Sequence, residues 1–234
     1  MAGRGLVLSA SAAVLVLAGA GLAVDWLATQ RDRTVVYRPP DQVRSIDLEI
    51  ASGSVDVVGG RGEAIRVQRT DRFAFDHPAL ERRSLAGGVL RLSSRCPRII
   101  VGSCSASYRL VVPDDVSVAV RTGAGHIHFD DFRGSARIQS GSGPVAVDAF
   151  CGFGLTAASV SGSVRVVSAC APEKLDLRSG TGDATAIVPP GRYRVAAQST
   201  TGQRHVRGIV PSAQAAYSIA VQSRTGNVTV AGGL

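Results

Sequence analysis

Aromatic side chains are scarce in this sequence, at 5% of 234 residues with a single Trp, which suits thin, repetitive β-structure better than a bulky globular core. Long helical periodicity is missing beyond the first thirty residues. No arginine cluster is interleaved with aromatics, and no zinc-finger or helix-turn-helix spacing occurs. The net charge of +8 therefore reads as a solvated, moderately cationic surface, and nucleic acid is not expected as a partner. Catalytic motifs are missing too. There is no HExxH. Gly123-Ala124-Gly125 and Gly141-Ser142-Gly143 precede strands rather than helices and carry no Lys-Ser/Thr, so they are not phosphate loops. Gly141-Ser142-Gly143 also lacks the nucleophile-elbow form, and no serine has a defensible His and Asp partner. The acid pairs Asp114-Asp115 and Asp130-Asp131 sit at turns with nothing to desolvate them. The expectation is a protein that is not an enzyme and needs no cofactor.

Glycine, in contrast, is abundant at 27 residues, and it is periodic. A phrase of small residue, Gly, polar, apolar, polar, apolar opens at Gly125-His126-Ile127-His128-Phe129. It returns at Gly143, Gly162, Gly182, Gly202 and Gly226, with spacings of 18, 19, 20, 20 and 24, and an early copy stands at Gly53. Short alternating runs at a period near 20 predict a single-stranded, β-helix-like β-solenoid, in which each coil buries its apolar face only against its neighbours.

Because side chains along a strand alternate between faces, the inward columns can be counted from the glycine. Two residues after it stand Ile127, Val145, Val164, Ala184, Arg204 and Val228, and four after it Phe129, Val147, Val166, Ala186, Val206 and Val230. Five before it stand Val120, Ile138, Ala157, Leu177, Ala197 and Val221, and seven before it Val118, Ala136, Leu155, Leu175, Val195 and Ile219. Arg204 breaks its column, so its coil is out of register or its guanidinium escapes at an edge. Two columns are expected to face outward: Thr122, Ser140, Ser159, Ser179, Ser199 and Ser223, whose hydroxyls can bond the turn backbone, and Arg121, Gln139, Ala158, Arg178, Gln198 and Gln222. The last strand, at Gly226 to Val230, is expected as an exposed or weakly capped edge.

Residues 1–30 read as an N-terminal hydrophobic helix, apolar or small from Leu6 to Val24 with Trp26 as an interfacial residue. It is expected to be a membrane anchor, which places the chain as a single-pass membrane protein with an extracytoplasmic C-terminal domain. The alternative is a signal segment cleaved after Ala18-Gly19-Ala20, which gives a secreted protein. Residues 31–43 read as a linker and 44–234 as the repeat domain, with an irregular insertion at about 70–107. The cysteines support export. Cys96 and Cys104 flank a short loop, and Cys151 and Cys170 each stand eight residues after a phrase glycine, one coil apart. Coils stack at about 4.8 Å, a separation a disulfide accepts, so Cys96–Cys104 and Cys151–Cys170 are the expected pairs. A Cys₄ zinc site would need two close Cys-x₂₋₄-Cys knuckles, which are not present.

The phrases Ser140-Gly141-Ser142-Gly143-Pro144-Val145-Ala146-Val147, Ser159-Val160-Ser161-Gly162-Ser163-Val164-Arg165-Val166, Ser179-Gly180-Thr181-Gly182 and Ser223-Arg224-Thr225-Gly226-Asn227-Val228 carry a family likeness. Over roughly residues 43 to 232 the chain resembles the bacterial "putative adhesin" β-strand-repeat family of unknown function (DUF4097-like). That resemblance implies a β-solenoid-like stack in exported or anchored envelope proteins and supplies no catalytic residues.

On the surface, His126 and His128 point the same way, two residues apart, with Asp130 beyond them, a pattern that could take a divalent metal but reads better as a polar surface strand. His205 shares the His128 column but lies too far along the stack to join it. Arg121, His126, His128 and Arg178 are the candidate surface-binding residues. The function expected is a non-catalytic structural or adhesin-like binding module of the cell envelope, with wall glycan or an envelope protein as partner and the membrane as partner of the N-terminal segment. One alternative is an extracytoplasmic sensor or scaffold domain serving a membrane signalling protein. The other is a glycan-active enzyme, which would need two carboxylates about 5–9 Å apart in a groove.

Overall fold

The structure, a computed structural model, describes residues 31–40, 42–62, 64–98 and 103–233. From the start of that range run β1 (Arg31–Tyr37), β2 (Ser45–Ser52), β3 (Val55–Gly59), β4 (Arg66–Phe73), β5 (Leu80–Ala86), β6 (Val89–Arg95) and β7 (Cys104–Val112). Four regular pairs follow: β8 (Ser117–Ala124) with β9 (Ile127–Asp130), β10 (Ala136–Ser142) with β11 (Val145–Phe150), β12 (Gly154–Ser161) with β13 (Val164–Ser168), and β14 (Lys174–Thr181) with β15 (Ala184–Val188). The chain closes with β16 (Arg192–Ser199), β17 (Arg204–Arg207), β18 (Val210–Pro211), β19 (Ser218–Thr225) and β20 (Val228–Gly232).

Each coil places one strand in each of two facing sheets and turns between them at the phrase glycine. The first sheet runs β1-β4-β7-β3-β9-β11-β13-β15-β20-β17, and the second β18-β16-β19-β14-β12-β10-β8-β2-β6-β5. The middle of both sheets is parallel and in register, with Val145 beside Ile127 and Val164, and Ile138 beside Val120 and Ala157. At the N-terminal end the sheets become mixed, because β4 runs antiparallel to β1 and β7, and β5 antiparallel to β6. The facing rows fill the space between the sheets with Val, Ile, Leu and Ala, and Phe129, Phe132, Phe150, Tyr108 and Tyr193 are the largest buried side chains.

The expected sequential single-stranded solenoid preceded by a helix is corrected on two counts. First, the fold is a mixed-sheet, all-β stack with no helix among the described residues, and none there is long and apolar enough to cross a membrane. The N-terminal helix, whether anchor or signal, falls on residues 1–30, outside the described residues. The expected single-pass placement and the membrane partner of the N-terminal segment thus find no support in a described helix. Second, the coils do not stack in chain order. β2 and β3 sit between β6–β7 and β8–β9, and β19 and β20 between β14–β15 and β16–β17.

The chain's last strand pair is thus an inner coil and not an edge. Composition explains the exchange. β19–β20 offers Ile219, Val221, Val228 and Val230 to the core, all at most 1% exposed. β16–β17 offers Arg204 in the same rows, and only an end coil lets that guanidinium reach water; all four β17 residues are exposed.

The hydroxyl column also turns the other way from its expected direction. Thr122, Ser140, Ser159, Ser179 and Ser223 are buried, because three residues before the glycine has the same parity as five and seven. Ser159 donates to the Gly143 carbonyl (3.0 Å), Ser179 to Gly162 (2.9 Å), Ser223 to Gly182 (2.8 Å) and Ser199 to Gly226 (2.7 Å), so each hydroxyl ties its corner to the coil before it in the stack. Glycine is required alongside. Gly143 has φ +122°, and a Cβ there would run into the Gly125 carbonyl oxygen. Two disulfides close other corners: Cys96–Cys104 between β6 and β7 (Cα–Cα 5.8 Å) and Cys151–Cys170 across successive coils (4.8 Å).

Candidate binding surfaces

The outer face of the second sheet carries one row of Ser93, Glu49, Arg121, Gln139, Ala158, Arg178, Gln222 and Gln198. Neighbours in this row are spaced at the strand separation of about 4.8 Å. Arg121 donates to Asp47 on β2 at 2.8 Å. Arg178 grips its own strand's Asp176 through Nε at 3.0 Å and Nη2 at 2.9 Å. Arg95 pairs with Glu49 at 3.2 Å. The row is a flat ladder of amides and hydroxyls punctuated by arginines that already hold a carboxylate. Towards its far end an open depression of about 610 Å³ is lined by Arg178, Gln198, Thr200, Gln222 and Arg224.

His128 lies on β9 of the other sheet, and His126 in the turn that leads into it. His126 Nδ1 sits 2.9 Å from Ser54 Oγ. His128 stands between Asp148 (3.3 Å from Nε2) and Asp56 (4.0 Å from Nδ1). His205 is separated from it by β11, β13, β15 and β20. Asp130, the acid beyond His126 and His128, ends β9 in register with Asp148 of β11, and the neighbouring Asp131 is held by Arg61 at 2.9 Å. Among the described residues no group of three His, Cys, Asp or Glu could hold a metal ion. The four candidate residues therefore do not converge: two arginines face one side of the stack, two histidines the other, and each has a local partner.

A charged cluster absent from the sequence reading closes the N-terminal end. Arg69 on β4 donates from Nε to Asp71 at 2.8 Å and from Nη2 to the Ala79 carbonyl at 2.5 Å, and its Nη1 lies 3.1 Å from Glu81 of β5. Glu81 also takes Arg83 at 2.9 Å and the Tyr108 hydroxyl at 3.1 Å, while Arg83 stacks 3.9 Å over the Tyr37 ring. Arg69, Asp71 and Glu81 side chains are each no more than 8% exposed. Burial, and then the Glu81 charge, push the Tyr37 and Tyr108 phenols well above the usual range. Burial opposes the Arg69 charge, but Tyr108, Asp71 and Glu81 outweigh it and hold the guanidinium charged. The cluster ties the two sheets together at this end, since Arg69 and Asp71 stand on β4 and Tyr37 on the edge strand β1 of one, and Glu81 and Arg83 on β5, the edge strand of the other. Its members are far apart in the chain, and only the Glu81-Arg82-Arg83 run is conspicuous in the sequence.

The opposite end has no such compensation. Arg192, Arg194, Arg204, Arg207 and Arg224 lie between Ala184 and Leu234, a stretch without a single Asp or Glu. All are exposed. That run of acid-free sequence was the available signal, and the regular glycine phrase masks it.

Against known proteins, no match is found among the curated ones. The chain is similar in fold to the crystal structure of a putative cell adhesion protein from Clostridium sporogenes, with 9% identity, a TM-score of 0.53 and coverage of 88% of this chain and 100% of that one. It is similar also to a putative adhesin from Bacteroides fragilis, with 13% identity, a TM-score of 0.52 and coverage of 88% and 98%. The Toastrack DUF4097 family matches residues 20–231, and the chain belongs to that family.

Proposed function

We propose that this protein is a non-catalytic, adhesin-like module that binds an extended partner in an oxidising compartment outside the cytoplasm. The observation that carries this reading is the repeating row of outward polar side chains, in which several carboxylates are engaged by a neighbouring arginine and Asp56 and Asp148 flank His128. Asp176 is held by Arg178, Asp47 by Arg121, Glu49 by Arg95 and Asp131 by Arg61. These carboxylates are spread along the stack and neutralised by arginine, which is unsuited to acid–base work on one substrate. What the faces supply is a repeating rigid ladder, the arrangement that repeat proteins use as an extended binding surface. Two disulfides and no free cysteine among the described residues fit an oxidising compartment.

The test is retention. Full-length oxidised protein is immobilised and exposed to extracellular and envelope material, and the retained proteins and glycans are identified by mass spectrometry. Reproducible retention of one partner, returned uncleaved, supports the module. Absence of retention above a reduced, unfolded control refutes it, as does recovery of a bound glycan in shortened form.

A further inference from the structure

β17 is the last strand of its sheet and pairs only with β20. Val228 N–H donates to the Gln203 carbonyl at 2.8 Å. The alternation of a parallel ladder then turns the peptide groups of His205 and Arg207 toward β20 and leaves those of Arg204 and Val206 facing away from the sheet. Val206 on this strand is 37% exposed, and Val210 on β18, the end strand of the other sheet, is 56% exposed. Around them lies the acid-free stretch with its exposed arginines, and among the described residues none of Arg192, Arg194, Arg204, Arg207 or Arg224 is held in an ion pair. Elsewhere among the described residues some arginines are paired, as at Arg61, Arg69, Arg72, Arg95, Arg121 and Arg178, and others, such as Arg91, Arg137 and Arg165, are not; what sets this end apart is the lack of any acid in the stretch that carries its arginines.

We propose that this end of the stack is a docking site for an extended acidic peptide segment of a partner protein, which adds to the sheet as the strand beyond β17. The proposal rests on the binding-module reading and names the partner's chemistry. A peptide strand satisfies both the outward N–H groups and the outward carbonyls of Arg204 and Val206, as strand addition does elsewhere. Its carboxylates on alternating faces meet Arg204 on one side of the edge and Arg207 on the other. A polyanion without a peptide backbone would answer the arginines and leave the edge groups unmatched. A second copy would bring the same arginines into contact, and like charges at an edge oppose self-pairing.

The experiment uses the full-length oxidised protein and short fluorescent peptides in which Glu alternates with Thr. Control peptides carry Lys in place of Glu, and a sulfated polysaccharide serves as a polyanion without peptide groups. Anisotropy is read against the native chain, an Arg204→Glu/Arg207→Glu double variant and Val206→Pro, which removes one outward N–H and leaves the ladder to β20 intact. The Glu peptide binds, the Lys peptide does not, and the double variant weakens binding by about tenfold or more. Val206→Pro weakens it by roughly fivefold, the worth of one hydrogen bond, while leaving polysaccharide binding unchanged.

The proposal is overturned by absent peptide binding, by peptide binding that Val206→Pro does not alter, or by concentration-dependent self-association that the double variant abolishes. If it falls while the double variant still retains a partner from extracellular material, the module reading survives and the contact lies on a broad face.

Discussion

The two ends of this stack solve the same problem in opposite ways. Every β-solenoid leaves a core cross-section and a pair of sheet edges to cover at each terminus. At the N-terminal end three antiparallel strands, β1, β4 and β5, fold back over the edges, and Arg69, Asp71, Glu81, Arg83, Tyr37 and Tyr108 lock them together with charges that balance one another. At the C-terminal end the cover is the four-residue β17 and the two-residue β18, with arginines that balance nothing. A well-sealed end costs buried charge and is stable only while every partner is present. A bare end contributes little to stability and keeps its hydrogen-bonding edge for something else. The difference assigns stability to one end and recognition to the other, and it can be broken by experiment.

The largest effect is expected at the sealed end. Arg69→Met leaves Asp71 and Glu81 buried without their shared cation, and breaking a buried pair in this way costs about 3–5 kcal/mol. Urea denaturation of the oxidised protein measures it. The deficit should shrink on acidification, because protonated carboxyls need no cation. A loss below about 1 kcal/mol, the range of an exposed pair, would show that the cluster is not a seal.

Next come the disulfides, taken as Cys→Ala pairs. Cys151–Cys170 closes a separation of 19 residues and Cys96–Cys104 one of 8. From loop closure alone these are worth about 3 and about 2.5 kcal/mol. Cys96–Cys104 supports the coil that carries Tyr108, so its removal should also expose the N-terminal cluster to amide exchange, whereas opening Cys151–Cys170 should loosen only its own two corners. Uniform loss of protection in both variants would erase the contrast between regions.

These predictions draw on features of unequal visibility in the sequence. The period, the glycine turns and the apolar rows are legible because each coil repeats the same local demand: a glycine where a Cβ would strike the neighbouring carbonyl, and apolar residues at alternate positions. Stacking order is not legible, because the coils carry nearly identical phrases and no local signal says which is whose neighbour. Arg204 was the exception: a charge in an inward row can be accommodated only at an end, and that single residue identifies β16–β17 as the terminal coil. The N-terminal cluster was hidden for the opposite reason. It is assembled once, from β4, β5 and β7, in the stretch where no repeat exists to count. Arg121, Arg178, His126 and His128 stand out as outward polar side chains; the Arg178–Asp176 pair lies within one strand, but the engagement of Arg121 with Asp47, His126 with Ser54 and His128 with Asp148 depends on which strands adjoin, which the columns do not reveal.

Alkaline titration should separate the ends with a smaller signal. Tyr108 is held protonated by burial and by the Glu81 carboxylate, so its folded pKa lies above the unfolded value near 10. The folded state then keeps a proton that the unfolded chain releases, and the resulting stabilisation is full below about pH 10 and lost as pH rises beyond it. Tyr37 shifts in the same direction. Tyr108→Phe removes one of the two titrations and should flatten the fall in stability above pH 10, at a cost of about 1 kcal/mol near neutrality for the lost hydrogen bond to Glu81. An unchanged alkaline slope would mean that the phenol is not sealed.

The smallest effect belongs to the bare end, and there it is the smallness that matters. Arg204 and Arg207 are exposed, unpaired and on a strand bonded along one edge only, so replacing both with Glu removes no native contact. Exposed substitutions of this kind change stability by no more than about 0.5 kcal/mol. The reversal also moves the end's charge toward the acidic residues it lacks, which relieves mutual repulsion among Arg192, Arg194 and Arg224 and should offset any loss of β propensity. Equal midpoints of urea unfolding for the double variant and the native chain, measured beside a Arg69→Met protein that unfolds far earlier, would fix stability at one end. A loss as large as that of Arg69→Met would show instead that the arginine cap holds the terminal coil in place.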